Sequence, residues 1–165
     1  MWILWKCMPG VCNKNMLMEG RVGQSMRIMG IDYGDSRIGV AISDPFGWTA
    51  QGVETINRKD GLKRSLNRII QLIEQYKVKK VVVGFPRNMN GTIGPRGEKT
   101  QEFIDMFSKM LTIEVIPWDE RLTTVEANRL MHETGVKTNR KKKVVDQIAA
   151  VYILQGYLDS IRMKT

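Results

Sequence analysis

The sequence predicts an α/β protein with a mixed five-stranded sheet, in which a three-strand antiparallel meander is extended by parallel strands and flanked by helices. Two observations lead to this fold class. Short extended segments joined by tight turns come first along the chain. Longer apolar runs then alternate with segments of helical spacing, and this alternation indicates strands covered by helices.

The first three predicted strands lie close together in sequence. We expect strands at residues 27–31 and 38–43, with a third around residues 52–56. The turn between the first two is too short for anything but a hairpin, and Asp44 and Pro45 end the second strand. These segments therefore form the antiparallel part of the sheet.

Helices and buried strands follow in turn. Residues 61–76 carry apolar side chains at helical spacing, whereas residues 78–85 form a nearly unbroken apolar run, which is typical of a strand buried on both faces. A second helix is predicted over residues 98–111 and a last strand over residues 112–117. A capping box beginning at Thr123 predicts a short helix to about residue 133, a basic loop follows over residues 135–143, and residues 144–161 read as a long amphipathic helix.

Length, charge and cysteine content narrow the class of protein. The 165 residues suit one domain, which we expect over residues 26–165, whereas residues 1–25 read as an extraneous or disordered extension. Lys and Arg outnumber Asp and Glu by 26 to 17, so nucleic acid is the expected partner. No apolar run approaches the roughly 20 residues of a membrane helix, so no membrane partner is expected. Both cysteines lie in the first 25 residues, and a cysteine-free core fits a cytoplasmic location.

Three acidic residues stand out by position. Asp32 ends the first strand, Glu120 lies just past the last strand, and Asp146 sits near the first turn of the long helix. If that helix packs across the sheet, the three carboxylates converge at one edge, where a hard cation such as Mg²⁺ or Mn²⁺ would relieve their repulsion. Each also has an ordinary explanation, as a turn residue, a helix-dipole residue or part of an exposed charge cluster.

Other catalytic chemistries find little support. The lone His132 has no cysteine or serine partner at the spacing of a hydrolase triad, and a structural or surface role suits it better. The sequence also has no Walker-type loop and no zinc pattern.

Several basic and polar residues are candidates for binding nucleic acid. The glycine-rich loop 86–97 precedes a helix, so its backbone amides and side chains suit a phosphate, although a flexible connection explains it equally well. A basic run before the long helix suits backbone phosphates, and a solvated loop is the alternative. The candidates are Arg37, Arg87, Asn88, Arg96, Arg121, Lys141, Lys142 and Lys143.

Four stretches in this order resemble the YqgF/RuvX family: MGIDYGDSRIGVAISD at 29–44, VGFPRNMNG at 83–91, PWDERLTT at 117–124 and KKVVDQIAA at 142–150. The resemblance implies an RNase H-like fold and a cytoplasmic endonuclease that hydrolyses phosphodiester bonds in structured nucleic acid. Its substrate would be a Holliday junction or the 5′ end of the 16S rRNA precursor. The resemblance also implies Asp32, Glu120 and Asp146 as catalytic ligands of Mg²⁺ or Mn²⁺, with two ions bound.

One departure and two rival functions remain. Resolvases of this fold commonly carry an acid at the end of the fourth strand, where this chain has Gly84-Phe85-Pro86, so Glu120 would supply that ligand from the fifth strand instead. A non-catalytic RNA- or ribosome-binding module is the first rival. An ATP binder related to actin and sugar kinases is the second, because residues 32–40 resemble a phosphate loop. The sequence leaves monomer and homodimer open.

Overall fold

A computed structural model describes residues 26–88, 90–119 and 139–163, apart from the side chains of residues 60 and 139–145. A single turn of 3₁₀ helix at Arg58–Asp60 separates the third strand from the first helix. The elements are β1 (Ile28–Tyr33), β2 (Arg37–Ser43), β3 (Ala50–Asn57), α1 (Leu62–Tyr76), β4 (Lys80–Phe85), α2 (Pro95–Met110), β5 (Glu114–Asp119) and α3 (Asn139–Arg162).

The five described strands form one mixed sheet in the order β3-β2-β1-β4-β5. The β1–β2 and β2–β3 pairs are antiparallel, whereas β4 is parallel to both β1 and β5. This arrangement confirms the predicted meander and the predicted parallel strands. It also brings the carboxyl ends of β1, β4 and β5 to one edge of the sheet.

Helices cover the two faces of the sheet unequally. On one face α1 and α2 bury a large apolar core, in which Phe103 stacks between Tyr33 and Phe107 with ring centroids 4.1 and 5.3 Å apart. On the other face, within the described part of the chain, α3 packs through a smaller apolar cluster. The members of that cluster are Ile28, Ala41, Val82, Ala150, Ile153, Leu154 and Leu158.

Two glycines allow α3 to lie very close to the strands. A Cβ atom at Gly30 of β1 would come within 2.6 Å of the Leu154 Cβ atom. A Cβ atom at Gly39 of β2 would overlap the backbone carbonyl oxygen of Asp146. Any side chain at these two positions would push the helix away from the sheet, because packed interiors leave no room for an added methyl group.

The long helix starts earlier than the sequence suggested. The predicted loop 135–143 is wrong over its last part, because α3 begins at Asn139 and already includes Lys141, Lys142 and Lys143. Lys and Arg are good helix formers, but a run of them has no apolar period that would reveal a helix. Asp146 therefore lies about two turns inside α3 rather than in its first turn.

The apolar side of α3 also differs from the prediction. The sequence favoured Val145, Ile148, Ala149 and Tyr152 as the apolar positions, yet Ile148 is 36% exposed. The buried positions are Ala150, Ile153, Leu154 and Leu158. Residues 148–154 are apolar without interruption, so their spacing could not select a face.

Other boundaries move by only a few residues. Helix α2 begins at Pro95 instead of residue 98, because proline suits the first position of a helix and Gly94 precedes it as the N-cap. Among the described helices, none is long and apolar enough to cross a membrane. The predicted extension over residues 1–25, the predicted helix at 123–133 and His132 lie outside the described residues.

The close approach of α3 predicts the effect of one substitution. Gly39→Ala should lower the free energy of unfolding by about 1–3 kcal/mol, because the added methyl group meets backbone atoms that cannot rotate away. Urea denaturation followed by circular dichroism measures this loss. Gly52→Ala is the matched control, since its Cβ atom would come no nearer than 3.2 Å to the Gln147 side chain. Equal stability of the Gly39→Ala variant and the wild type would contradict this packing.

Candidate metal and nucleic-acid site

Asp32 projects from β1 toward α3. Side chains alternate along the strand, so Asp32 shares a face with Ile28 and Gly30, both of which contact residues of α3. Its strand partner on β2 is Gly39, the residue on which the backbone of Asp146 rests. The Asp32 side chain is only 16% exposed. A carboxyl group therefore lies largely buried at the carboxyl-end edge of the sheet.

Asp146 reaches the same place from α3. The helix turn that carries it sits directly on Gly39, so its side chain emerges beside the ends of β1 and β2. There the Nη1 atom of Arg37, the first residue of β2, donates a hydrogen bond of 3.3 Å to its Oδ2 atom. The sequence predicted that the helix approaches this edge. It did not predict the ion pair between Arg37 and Asp146, which lie 109 residues apart.

The two carboxyl groups interact electrostatically. Burial raises the pKa of Asp32 above its ordinary value, and the negative charge of Asp146 raises that pKa further. Arg96 opposes both effects, with its Nη2 atom 4.0 Å from the Asp32 Oδ1 atom. The net direction is upward because burial is the largest of these effects.

This pair of acids suits a hard divalent cation. Carboxylate oxygens are the donors that Mg²⁺ and Mn²⁺ prefer. A cation would favour the charged form of Asp32, which burial disfavours most and the Asp146 charge disfavours further. The described residues contain no cluster of three acidic, His or Cys ligands. The predicted third ligand, Glu120, lies outside the described residues.

The end of β5 bears on which acid would complete the site. Trp118 packs in the α3-side cluster, so strand alternation directs the next residue, Asp119, to the opposite face. Asp119 is thus poorly placed to join Asp32 and Asp146. Gly84 of β4 is the strand partner of Trp118. The ring of Trp118 meets Tyr157 edge-on, with centroids 5.5 Å apart.

The predicted nucleic-acid-binding residues fall into three groups. Arg87 follows β4 and Arg96 lies in the first turn of α2, and both are exposed. Arg96 comes within 4.0 Å of Asp32, whereas the guanidinium group of Arg87 lies 5.7 Å from the ring centroid of Phe85. Asn88 is exposed too, but its side-chain amide donates to the Thr92 hydroxyl at 2.9 Å and so holds the loop together. Lys141, Lys142 and Lys143 lie in the first turns of α3, with Asp146 one turn beyond them. Arg121 lies outside the described residues.

Comparisons with known proteins agree with this architecture. A family model described as "RuvX: Holliday junction resolvase" matches residues 26–160. A protein of Acetivibrio thermocellus named "Putative pre-16S rRNA nuclease" is 66% identical over 136 residues, which are 82% of this chain and 96% of that protein. A protein of the same name from Clostridium tetani is 57% identical, over 84% of this chain and all of its own length.

Solved structures show the same fold at low sequence identity. Thermus thermophilus RuvC in complex with a Holliday junction substrate superimposes with a TM-score of 0.58 at 15% identity, covering 85% of this chain and 97% of its own. RuvC alone gives a TM-score of 0.52. This likeness confirms the predicted RNase H-like fold. Together with the family match and the identity to its curated relatives, it shows that the chain belongs to the RuvX family of nucleases.

Proposed function

We propose that this protein is a divalent-metal-dependent endonuclease that hydrolyses phosphodiester bonds in structured RNA, with Asp32, Asp146 and Glu120 as the catalytic metal ligands. One observation carries the proposal: a strand and a helix more than 100 residues apart in sequence bring two carboxyl groups together at the edge of the sheet. Neighbouring carboxyl groups with a perturbed pKa at the edge of a sheet are typical of sites that bind a cation.

Asp32 and Asp146 would hold one or two Mg²⁺ or Mn²⁺ ions, and Glu120 would complete the set. When bound, the ions neutralise the charge of the scissile phosphate and activate water for its attack. The protein's own part is to fix the carboxylates. Asp32 is largely buried in β1, and α3 packs directly on Gly39. Both contacts restrict the movement of the Asp32 and Asp146 side chains, so these side chains need little further ordering when substrate binds.

The basic residues around the acids would position the nucleic acid. Arg87 and Arg96 present exposed guanidinium groups at the same edge, where they can hold phosphates on either side of the cleaved bond. Lys141, Lys142 and Lys143 precede Asp146 on α3 and would extend this contact. Asn88 would act mainly by fixing the shape of the loop between β4 and α2.

The rRNA precursor is the substrate that we favour. The curated relatives that are 57–66% identical are named as nucleases of this precursor, and they match the chain over nearly their whole length. A four-way DNA junction is the alternative, because the family description names it. Both substrates would be met in the cytoplasm, and neither choice fixes whether the protein works as a monomer or a homodimer.

Substitution of the acids tests the activity directly. Asp32→Asn and Asp146→Asn should each lower Mg²⁺-dependent cleavage by more than about 100-fold, since even residues that only support metal ligands cost 10–100-fold. Cleavage of a 16S rRNA precursor and of a four-way DNA junction is followed on gels, with Mg²⁺ or with EDTA. Asp159→Asn, on the same helix but far from the site, is the control.

The result separates the alternatives. Cleavage of the junction alone would replace RNA as the substrate, and binding without cleavage of either would leave a non-catalytic binding module. Full cleavage by Asp32→Asn would refute the ligand assignment.

The raised pKa of Asp32 predicts a gain in stability when its charge is removed. The pKa of Asp32 is higher in the folded protein than in the unfolded chain, where it is about 3.9. Such a group lowers the free energy of unfolding at pH values above its unfolded-state pKa, and it has no such effect at low pH, where it is protonated in both states. In EDTA at pH 7.5, Asp32→Asn should therefore melt at a higher temperature than the wild type. Near pH 3 this advantage should vanish. A lower melting temperature at pH 7.5 would show that Arg96 outweighs burial and Asp146.

The exposed arginines predict salt-sensitive binding. Arg96→Gln should weaken binding of the RNA and reduce the slope of log K against log salt by about 1, because one phosphate contact is lost. Fluorescence anisotropy in Ca²⁺ or EDTA measures binding without cleavage. Lys109→Gln, near the far end of α2, provides the control. An unchanged slope for Arg96→Gln would remove Arg96 from the nucleic-acid surface.

A further inference from the structure

We propose that Arg37 is the internal counter-ion of the metal site: it holds the Asp146 carboxylate while no cation is bound, and it competes with the cation for that carboxylate. The inference rests on the metal site of the proposed function. It gives Arg37 a role that differs from the nucleic-acid contact predicted from the sequence.

The position of Arg37 is built into the fold. It begins β2 and lies two residues before Gly39, so strand alternation directs both toward α3. Its Nη1 atom is 3.3 Å from the Asp146 Oδ2 atom, and the two side chains are 29% and 27% exposed. The pair is thus partly shielded from water, which strengthens it relative to a surface ion pair.

Arg37 is better placed than the other arginine of the site. Arg96 stands 4.0 Å from Asp32 and is 58% exposed, so solvent screens its charge more strongly. Asp146 is therefore the acid with the closer and better-shielded partner. Among the described side chains, no other positive charge lies as close to Asp146 as Arg37 does. Loss of Arg37 would therefore leave Asp146 beside the negative charge of Asp32 without its nearest counter-ion.

Competition follows from charge and space. A divalent cation bound to Asp146 repels the guanidinium group and takes up lone pairs of the same carboxylate, so the 3.3 Å contact must weaken on binding. The displaced guanidinium group would remain at the edge of the site, where it could contact a phosphate. Removal of Arg37 should then have two opposite effects, a less stable metal-free protein and a tighter metal site.

The test measures metal binding apart from cleavage. Free Mn²⁺ is quantified by electron paramagnetic resonance during titration of wild type, Arg37→Gln and Arg37→Lys, and melting temperatures are recorded in EDTA. Arg37→Gln should bind Mn²⁺ with a dissociation constant about five-fold lower, as expected for loss of one ion pair, and should melt at a lower temperature in EDTA. Arg37→Lys keeps the charge and should stay near the wild type. Arg37→Met, which keeps the aliphatic stem, replaces Arg37→Gln if the latter does not fold.

Arg68→Gln supplies a matched control. Arg68 pairs with Glu54 at 2.8 Å on the α1 side of the sheet, so its loss should lower the melting temperature without changing Mn²⁺ affinity. Equal or weaker Mn²⁺ binding by Arg37→Gln, while Asp32→Asn loses the ion, would overturn this inference and leave the proposed metal site standing. Absence of Mn²⁺ binding by the wild type would overturn both.

Discussion

The rest of the site depends on one contact, the packing of the α3 backbone directly on Gly39. Because a glycine lies under Asp146, the helix backbone rests against β2, and the Asp146 carboxylate comes close enough to Asp32 to affect its protonation. The apolar cluster that holds the helix there is small, and glycines of β1 and β2 lie at the points of closest approach. Close packing, rather than a large buried area, therefore sets the distance between the two acids.

The electrostatic environment of Asp32 opposes folding. The whole chain carries a formal charge of +9, yet burial and a second carboxylate raise the Asp32 pKa. The larger core under α1 and α2 offsets this cost, since its stacked aromatic rings and aliphatic side chains are buried.

Much of this architecture could be predicted from the sequence, because alternation and apolar runs identify β1 through β5 with small errors at their ends. The start of α3 could not, since a run of Lys and Arg forms a helix without showing an apolar period. The face of α3 that packs on the sheet was also hidden, because residues 148–154 are apolar throughout. Motifs singled out Asp32 and Asp146 individually, whereas the pairing of Arg37 with Asp146 depends on a contact that no local pattern encodes.

The separation of Asp32 and Asp146 along the chain also bears on the time at which the site forms during synthesis. Strands β1 to β5 and both helices of the larger core emerge from the ribosome before α3, at roughly 5–20 residues per second. The sheet can assemble in that interval, but its edge then holds Asp32 without Asp146. The pair of acids is therefore complete only after α3, the last described helix, docks on the sheet.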